Sequence, residues 1–342
     1  MVDNRRLYKK IINHNFSKEL IDWSSSRTKY HINDLDLNKM RKNIIKKTKN
    51  LIKKPSNISD NELYNYKDFI GSWLGAKVIS NKKIIRIIDK LMIMLTGVSY
   101  FQFKNNEDYQ RFIILIINYR IGFLKLRGGI KEYQLYLENN LIERKKIISY
   151  ITPSTNHFFR DHIDEELTKL KRYFPKSINV LIIGCSTGGE VYSVAYSLNK
   201  LGIKYKILST DINAKAVYFS KLAKYPMSII KEVEGNKALE LFNKDGFINN
   251  IYRKKVYFKV QDLRKLDLKE GYDLILIRNV LKYFDKPLQK VMITGVINHL
   301  RNKGVIVLGI QKGSNADINL AKFIKLKKIG EYSFIYDKKT YK

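Results

Sequence analysis

The spacing of apolar residues changes character about halfway along the chain. In the first half, apolar positions recur with helical periodicity. Ile84, Ile85, Ile87, Ile88, Leu91 and Leu95 line one face, and Phe112, Ile113, Leu115, Ile116 and Ile117 line a second. Gly97 ends the first helix, Gly128-Gly129 marks a turn, and two further helices are predicted over Glu132–Ile142 and Glu143–Ile151. From Asn179 onward, short apolar runs alternate with amphipathic stretches. The runs predict strands over Val180–Ile183, Lys204–Ser209, Val256–Val260, Asp273–Ile277, Gly304–Gly309 and Tyr332–Tyr336. Helices are predicted between them over Glu190–Leu201, Ala214–Lys224 and Pro287–Leu300, where Pro287 suits a first helical turn. Strands alternating with helices require a mainly parallel sheet covered on both faces, an α/β Rossmann-like domain. The interval Pro226–Lys255 is too long for a plain crossover and predicts a small inserted subdomain.

Three segments follow. Residues 1–80 form a basic helical extension of no assigned role, with an amphipathic stretch over Arg41–Lys54 closed by Pro55. Residues 81–160 form a small all-helical domain, in which Arg120, Lys125 and Arg127 make a basic edge. Residues 161–342 form the Rossmann-like domain, with its insert at about 226–255.

Composition narrows the picture only in places. The 342 residues carry 65 Lys and Arg against 32 Asp and Glu, a formal charge of +33. Such a field attracts nucleic acid, acidic protein surfaces or anionic membrane. Lysine is abundant throughout, however, and no zinc-finger spacing, aromatic RNA-binding signature or recognition helix accompanies it. The single cysteine, Cys185, excludes an internal disulfide, and the five histidines lack ligand spacing, so no metal site is expected. No apolar run is long enough for a signal peptide or a membrane span, which predicts a cytoplasmic protein without membrane insertion.

The chemistry concentrates after the first predicted strand. Gly184-Cys185-Ser186-Thr187-Gly188 is a glycine turn leading into a helix. Asp211, which ends the following strand, is placed to accept both ribose hydroxyl hydrogens of an adenosine. The turn lacks the G-x-G-x-x-G spacing of dinucleotide sites and the G-K-[ST] ending of a phosphate loop. A nucleoside without phosphates fits better, which points to S-adenosyl-L-methionine. Asp262, after the third strand, sits where an adenine amino group would bind, or else caps a turn. Glu190 lies in the first turn after the glycine loop, where it meets the cationic end of such a cofactor or simply favours its helix terminus.

Four ordered stretches then resemble the chemotaxis receptor glutamate O-methyltransferases. They are Asn156-His157-Phe158-Phe159-Arg160-Asp161, the loop from Gly184 to Ser193, Thr210-Asp211-Ile212, and Arg278-Asn279-Val280-Leu281-Lys282-Tyr283-Phe284-Asp285. Thr96-Gly97-Val98, Tyr225-Pro226 and Ile335-Tyr336-Asp337-Lys338 extend the likeness to the family's helical domain, the entry of its small β-subdomain and its closing strand. The resemblance implies a class I methyltransferase fold and methyl esters formed on glutamates in the helical cytoplasmic region of receptors. It implies cofactor contacts from Asn156, Arg160, Gly184, Cys185, Glu190, Asp211 and Ile212. It further implies an adenosine pocket lined by Asp262, Leu263, Ile277 and Arg278, and catalytic roles for Arg160 and Tyr283.

The chain departs from the family pattern at Ser154, Asn156, Gly189, Val191, Asp262 and the run Gly309-Ile310-Gln311-Lys312. Two alternatives therefore stand beside receptor methylation. One is a nucleic-acid methyltransferase, favoured by the charge but lacking an N-P-P-Y-like segment after the fourth strand. The other is a signalling protein that binds the cofactor with weak turnover.

Overall fold

The computed structural model describes residues 82–103, residues 110–152 except 111, 112, 115, 118, 119, 122, 123 and 125, residues 157–268, 271–309, and 326–337 except 332. The expected extension over 1–80 lies outside the described residues, as do Lys125 and Asn156. The chain divides into two compact units, Met1–Pro153 and Ser154–Lys342. The sequence reading set this border at 160/161. Phe158 and Phe159 explain the difference, because their rings pack edge-on against Tyr225, Phe242 and Tyr196 of the second unit.

In the first unit, α1 (Lys82–Thr96) buries Ile88, Leu91, Met92 and Leu95. Helices α2 (Gly129–Asn139) and α3 (Leu141–Ile151) are separated at Asn140. Its backbone is extended, and its side chain accepts from Glu143 N at 2.9 Å, so one residue both breaks α2 and caps α3. The predicted basic edge needs correction. Arg120 is buried, and its guanidinium donates to both carboxylate oxygens of Glu143 at 2.6 Å, while Arg127 is exposed. The Tyr133 hydroxyl adds a third bond to Glu143 at 3.0 Å.

The second unit opens with α4 (Ile163–Leu170), which the sequence reading passed over because four of its eight residues are charged. Its apolar residues Ile163, Leu167 and Leu170 fall on one face and are fully buried. The sheet then alternates with its crossovers. The strands are β1 (Ser177–Ile183), β2 (Lys204–Asp211), β3 (Val256–Val260), β4 (Tyr272–Ile277), β5 (Leu300–Leu308), β6 (Lys327–Lys328) and β7 (Ser333–Ile335). The larger helices are α5 (Gly189–Lys200), α6 (Ala214–Leu222) and, in the β4–β5 crossover, α10 (Lys286–Ile297).

Strand order is β3-β2-β1-β4-β5-β7-β6, with β1 to β5 parallel and β7 antiparallel to both β5 and β6. Order reverses between β1 and β4, and that switch point is where open α/β sheets form their ligand crevice. Val180, Ile182, Ile207, Leu274, Leu276, Val305 and Val307 pack one sheet face against α4 and α5, while Leu181, Ile183, Ile275, Ile277, Ile306 and Leu308 alternate onto the other. Each such side chain contributes about 1.5–3 kcal/mol of burial. Strand β5 begins at Leu300 rather than at the predicted Gly304, because Leu300 already pairs with Tyr272 across a register shift.

Between α6 and β3 lie three short helices, α7 (Met227–Ile230), α8 (Asn236–Leu241) and α9 (Asn250–Arg253). The resemblance implies a β-subdomain here. Instead, two isolated antiparallel bridges, Lys224 to Phe247 and Phe242 to Ile248, hold the insert together. Asn243 explains the brevity of the pairing: its side chain accepts from Asp245 N and Phe247 N and curls the chain before a strand can extend.

Candidate active site

Strand β1 delivers the chain to Gly184, where φ is +79°. A side chain there is barred twice. The left-handed backbone disfavours it, and a Cβ would come within 2.2 Å of Val280 Cγ2. Gly184 thus lets the first loop lie directly on the segment that follows β4. Gly188, at φ +95°, brings the start of α5 close to Tyr225, whose hydroxyl would stand 2.9 Å from an added Cβ.

The same loop is tied to the end of β2. Gly184 N and Cys185 N both donate to Thr210 O, at 2.8 and 3.0 Å. Asp211 Oδ2 accepts from Ser186 N at 2.8 Å, and Oδ1 accepts from Asn213 N at 2.8 Å. Gly184 and Asp211 therefore share one surface at the carboxyl ends of the strands. Gln261 N donates to Asp211 O at 2.9 Å, which brings Asp262 and Leu263 alongside. The Asp262 carboxylate caps a short turn through Arg264 N and forms an ion pair with the Arg264 guanidinium at 2.6 Å. Ile212 and Leu263 are half-buried beside these carboxylates.

A second cluster forms around Arg278. Glu190, in the first turn of α5, accepts from Arg278 at 2.9 Å. Arg278 follows β4, and its second terminal nitrogen donates to Arg160 O at 2.9 Å and to Asp161 Oδ2 at 2.8 Å. The Ile277 side chain is fully enclosed in the sheet core, so it faces the site only through its backbone. Tyr283 closes the 3-10 turn Leu281–Tyr283. Burial pushes its hydroxyl up to about 12, and the positive charge of Arg160 pulls the other way. Near neutral pH this hydroxyl keeps its proton. The fold thus brings Arg160 and Tyr283 within electrostatic reach across 123 residues of sequence.

Cys185 contributes backbone rather than sulfur chemistry. Its side chain is buried, and burial, with the nearby Asp211 charge second, pushes the thiol well above its ordinary value. A thiol held protonated is a poor nucleophile.

The residues present fit S-adenosylmethionine. Glu190 follows the glycine turn in the first turn of α5 and Asp211 is bonded to that turn through Ser186 N, two carboxylates that suit an ammonium group and a ribose diol. The turn carries no lysine that would grip phosphates. The family description "CheR methyltransferase, SAM binding domain" matches residues 150–328, just over half of the chain. The chain belongs to the CheR methyltransferase family. Among similar proteins, the chemotaxis protein methyltransferase of Borreliella burgdorferi is 28% identical over 233 residues, covering 60% of this chain and 82% of that one. Chemotaxis protein methyltransferase 2 of Pseudomonas aeruginosa is 26% identical over 235 residues, covering 63% of this chain and 81% of that one. Among solved structures, the N-methyltransferase NodS of Bradyrhizobium japonicum, in complex with S-adenosylhomocysteine, is 18% identical with a TM-score of 0.29. That match covers 48% of this chain and 66% of NodS.

This CheR-family protein is an S-adenosylmethionine-dependent methyltransferase with a class I fold, preceded by a helical region. Among the described residues, no helix is long and apolar enough to cross a membrane.

Several residues that shape the site escaped the sequence reading. Asp161 stood in a quoted motif without a role. Ser193 accepts from Phe159 N at 2.8 Å, and Ser220 donates to Ser186 O at 2.8 Å. The buried Tyr225 hydroxyl donates to Thr187 O at 2.6 Å and so pins the glycine loop from the entry of the insert. Asp161, Ser193 and Tyr225 each stood in a quoted stretch, whereas Ser220 carried no local signal. Tyr225→Phe is expected to cost about 1–3 kcal/mol, because it removes a buried hydrogen bond to the Thr187 carbonyl. Thermal melting checks this: an unchanged midpoint would mean the bond contributes nothing to stability.

Proposed function

We propose that this protein forms methyl esters on glutamate side chains in the helical cytoplasmic region of chemotaxis receptors. Its family membership supports this reading, as do the relatives named as chemotaxis protein methyltransferases. The observation that carries it is Arg278, which ties Glu190 at the start of α5 to the Arg160–Asp161 segment, with Asp211 bonded to the neighbouring glycine loop.

Bound S-adenosylmethionine supplies a methyl group on a sulfonium sulfur, open to in-line attack by an ionised carboxylate. A glutamate is already ionised near neutral pH, so the chain needs no general base. What remains for its residues is alignment and charge control. In this reading Asp211 accepts from the ribose hydroxyls, and Glu190 meets the ammonium group. The Gly184 and Cys185 backbones, Ile212, Asp262, Leu263, the Ile277 backbone and Arg278 complete the cofactor's surroundings, with Asn156 expected to join them. Arg160 supplies positive charge that steers the acceptor carboxylate, and the protonated Tyr283 hydroxyl donates a hydrogen bond to it. Excess basic charge over the chain favours an acidic partner surface.

The test uses methyl-labelled S-adenosylmethionine with receptor cytoplasmic fragments and, separately, with RNA and DNA. Base-labile label on the receptor fragments, released as methanol, is the expected result. Base-stable label on nucleic acid, or no transfer to any acceptor despite cofactor binding, would overturn the proposal.

A further inference from the structure

The segment that carries Arg160 has an unusual backbone. Phe159, Asp161 and His162 have φ of 49°, 51° and 51°. Each left-handed residue other than glycine costs about 1–2 kcal/mol, so three within four positions will not persist on local preference alone. Something outside the loop must hold it.

Three restraints do so. Phe159 N donates to Ser193 Oγ at 2.8 Å, and the Phe159 ring packs on Tyr196 with centroids 5.4 Å apart. From the insert, Lys237 lies 4.7 Å above the Phe159 ring and forms an ion pair with Asp164 at 2.5 Å. The third restraint is Arg278, which alone among these joins the loop to Glu190.

Arg278 has only 2% of its side chain exposed, so its charge needs neutralising partners. Glu190 and Asp161 both serve, with side-chain exposures of 19% and 37%. Asp161 also lies 3.7 Å from Arg160 Nε, so one carboxylate holds both guanidinium groups. Without it, Arg278 would keep Glu190 as its single carboxylate partner in this cluster. Glu190 would then be drawn further onto the guanidinium and away from a cationic ligand.

We infer that Asp161 is a positioning residue: gripped by Arg278, it locks the left-handed loop that carries Arg160 and leaves Glu190 poised toward the cofactor. Arg278 then also acts on the cofactor through Glu190 and Asp161. The inference rests on Glu190 facing the cofactor, and the experiment separates that premise from the latch itself.

Asp161→Asn removes the charge and Asp161→Glu keeps it; over a third of this side chain is exposed, so both variants are expected to fold. Two quantities are measured on the full chain. One is S-adenosylhomocysteine affinity by calorimetry. The other is hydrogen exchange in the cofactor-free protein at the Phe159 and His162 amides, with β1 amides as the internal reference. For Asp161→Asn, affinity is expected to fall about tenfold and the loop amides to exchange about tenfold faster, the loss of one charge-assisted bond. The β1 amides should not change, and Asp161→Glu should recover most of both effects. Loop amides as slow in Asp161→Asn as in the wild type would overturn the latch. Faster loop exchange with undiminished affinity would overturn the positioning role, as would an Asp161→Glu variant as impaired as Asp161→Asn. If the wild-type protein itself fails to bind S-adenosylhomocysteine, the cofactor premise fails and the positioning role with it. The exchange data still decide whether Asp161 holds the loop.

Discussion

Asp211→Ala is expected to weaken S-adenosylhomocysteine binding by roughly 100-fold, the equivalent of about 3 kcal/mol for hydrogen bonds to a charged group. The substitution acts in two ways. It removes the acceptor proposed for the ribose hydroxyls. It also releases Ser186 N and Asn213 N, each held by this carboxylate at 2.8 Å, and so loosens the glycine loop. Asp211→Asn separates the two, since an amide oxygen can still accept one of those backbone bonds while half the acceptor capacity is lost. Calorimetric titration should therefore rank wild type, Asp211→Asn and Asp211→Ala in falling affinity. A dissociation constant for Asp211→Ala within threefold of wild type would remove this residue from the cofactor site.

In the helical unit, Arg120→Ala should destabilise the fold by about 3–5 kcal/mol, the range found when one partner of a buried pair is removed. The side chains of Arg120 and Glu143 are only 5% and 4% exposed, so Glu143 would lose its cation in a place water scarcely reaches. The Tyr133 bond to Glu143 cannot replace the charge. Replacing both partners with methionine should recover most of the loss, because the cost lies in the orphaned carboxylate rather than in the missing attraction. Urea unfolding of the full chain, followed by far-ultraviolet circular dichroism, measures both variants. Equal stability of Arg120→Ala and wild type would refute a structural role for the pair. An opposite ranking of the single and double variants would refute the desolvation argument.

The alternation of short apolar runs with amphipathic stretches was legible without coordinates, and so were the parallel sheet and its glycine turn. A strand buried on both faces has no choice but to be continuously apolar, as Val180–Ile183 and Leu274–Ile277 are. The boundary errors arose where polar residues enter the ladder. Ser177 begins β1 with an exposed side chain, Thr210 and Asp211 carry β2 past its predicted end, and Arg301 to Lys303 belong to β5 although nothing apolar marks them. Helix α4 was missed for the related reason that four charged residues, among them the buried Glu166, mask a three-residue apolar stripe.

By itself, then, the sequence determined the fold class, the glycine turn after β1 and the acid at the end of β2. Each of these depends on residue type at a fixed short spacing. Only the tertiary structure decided which charges are solvated and which are locked together. Arg120 meets Glu143 across 23 residues and Arg278 meets Asp161 across 117, and no local pattern separates these arginines from the many exposed lysines. Burial depends on which elements pack together, and only packing removes the water that would otherwise screen such pairs.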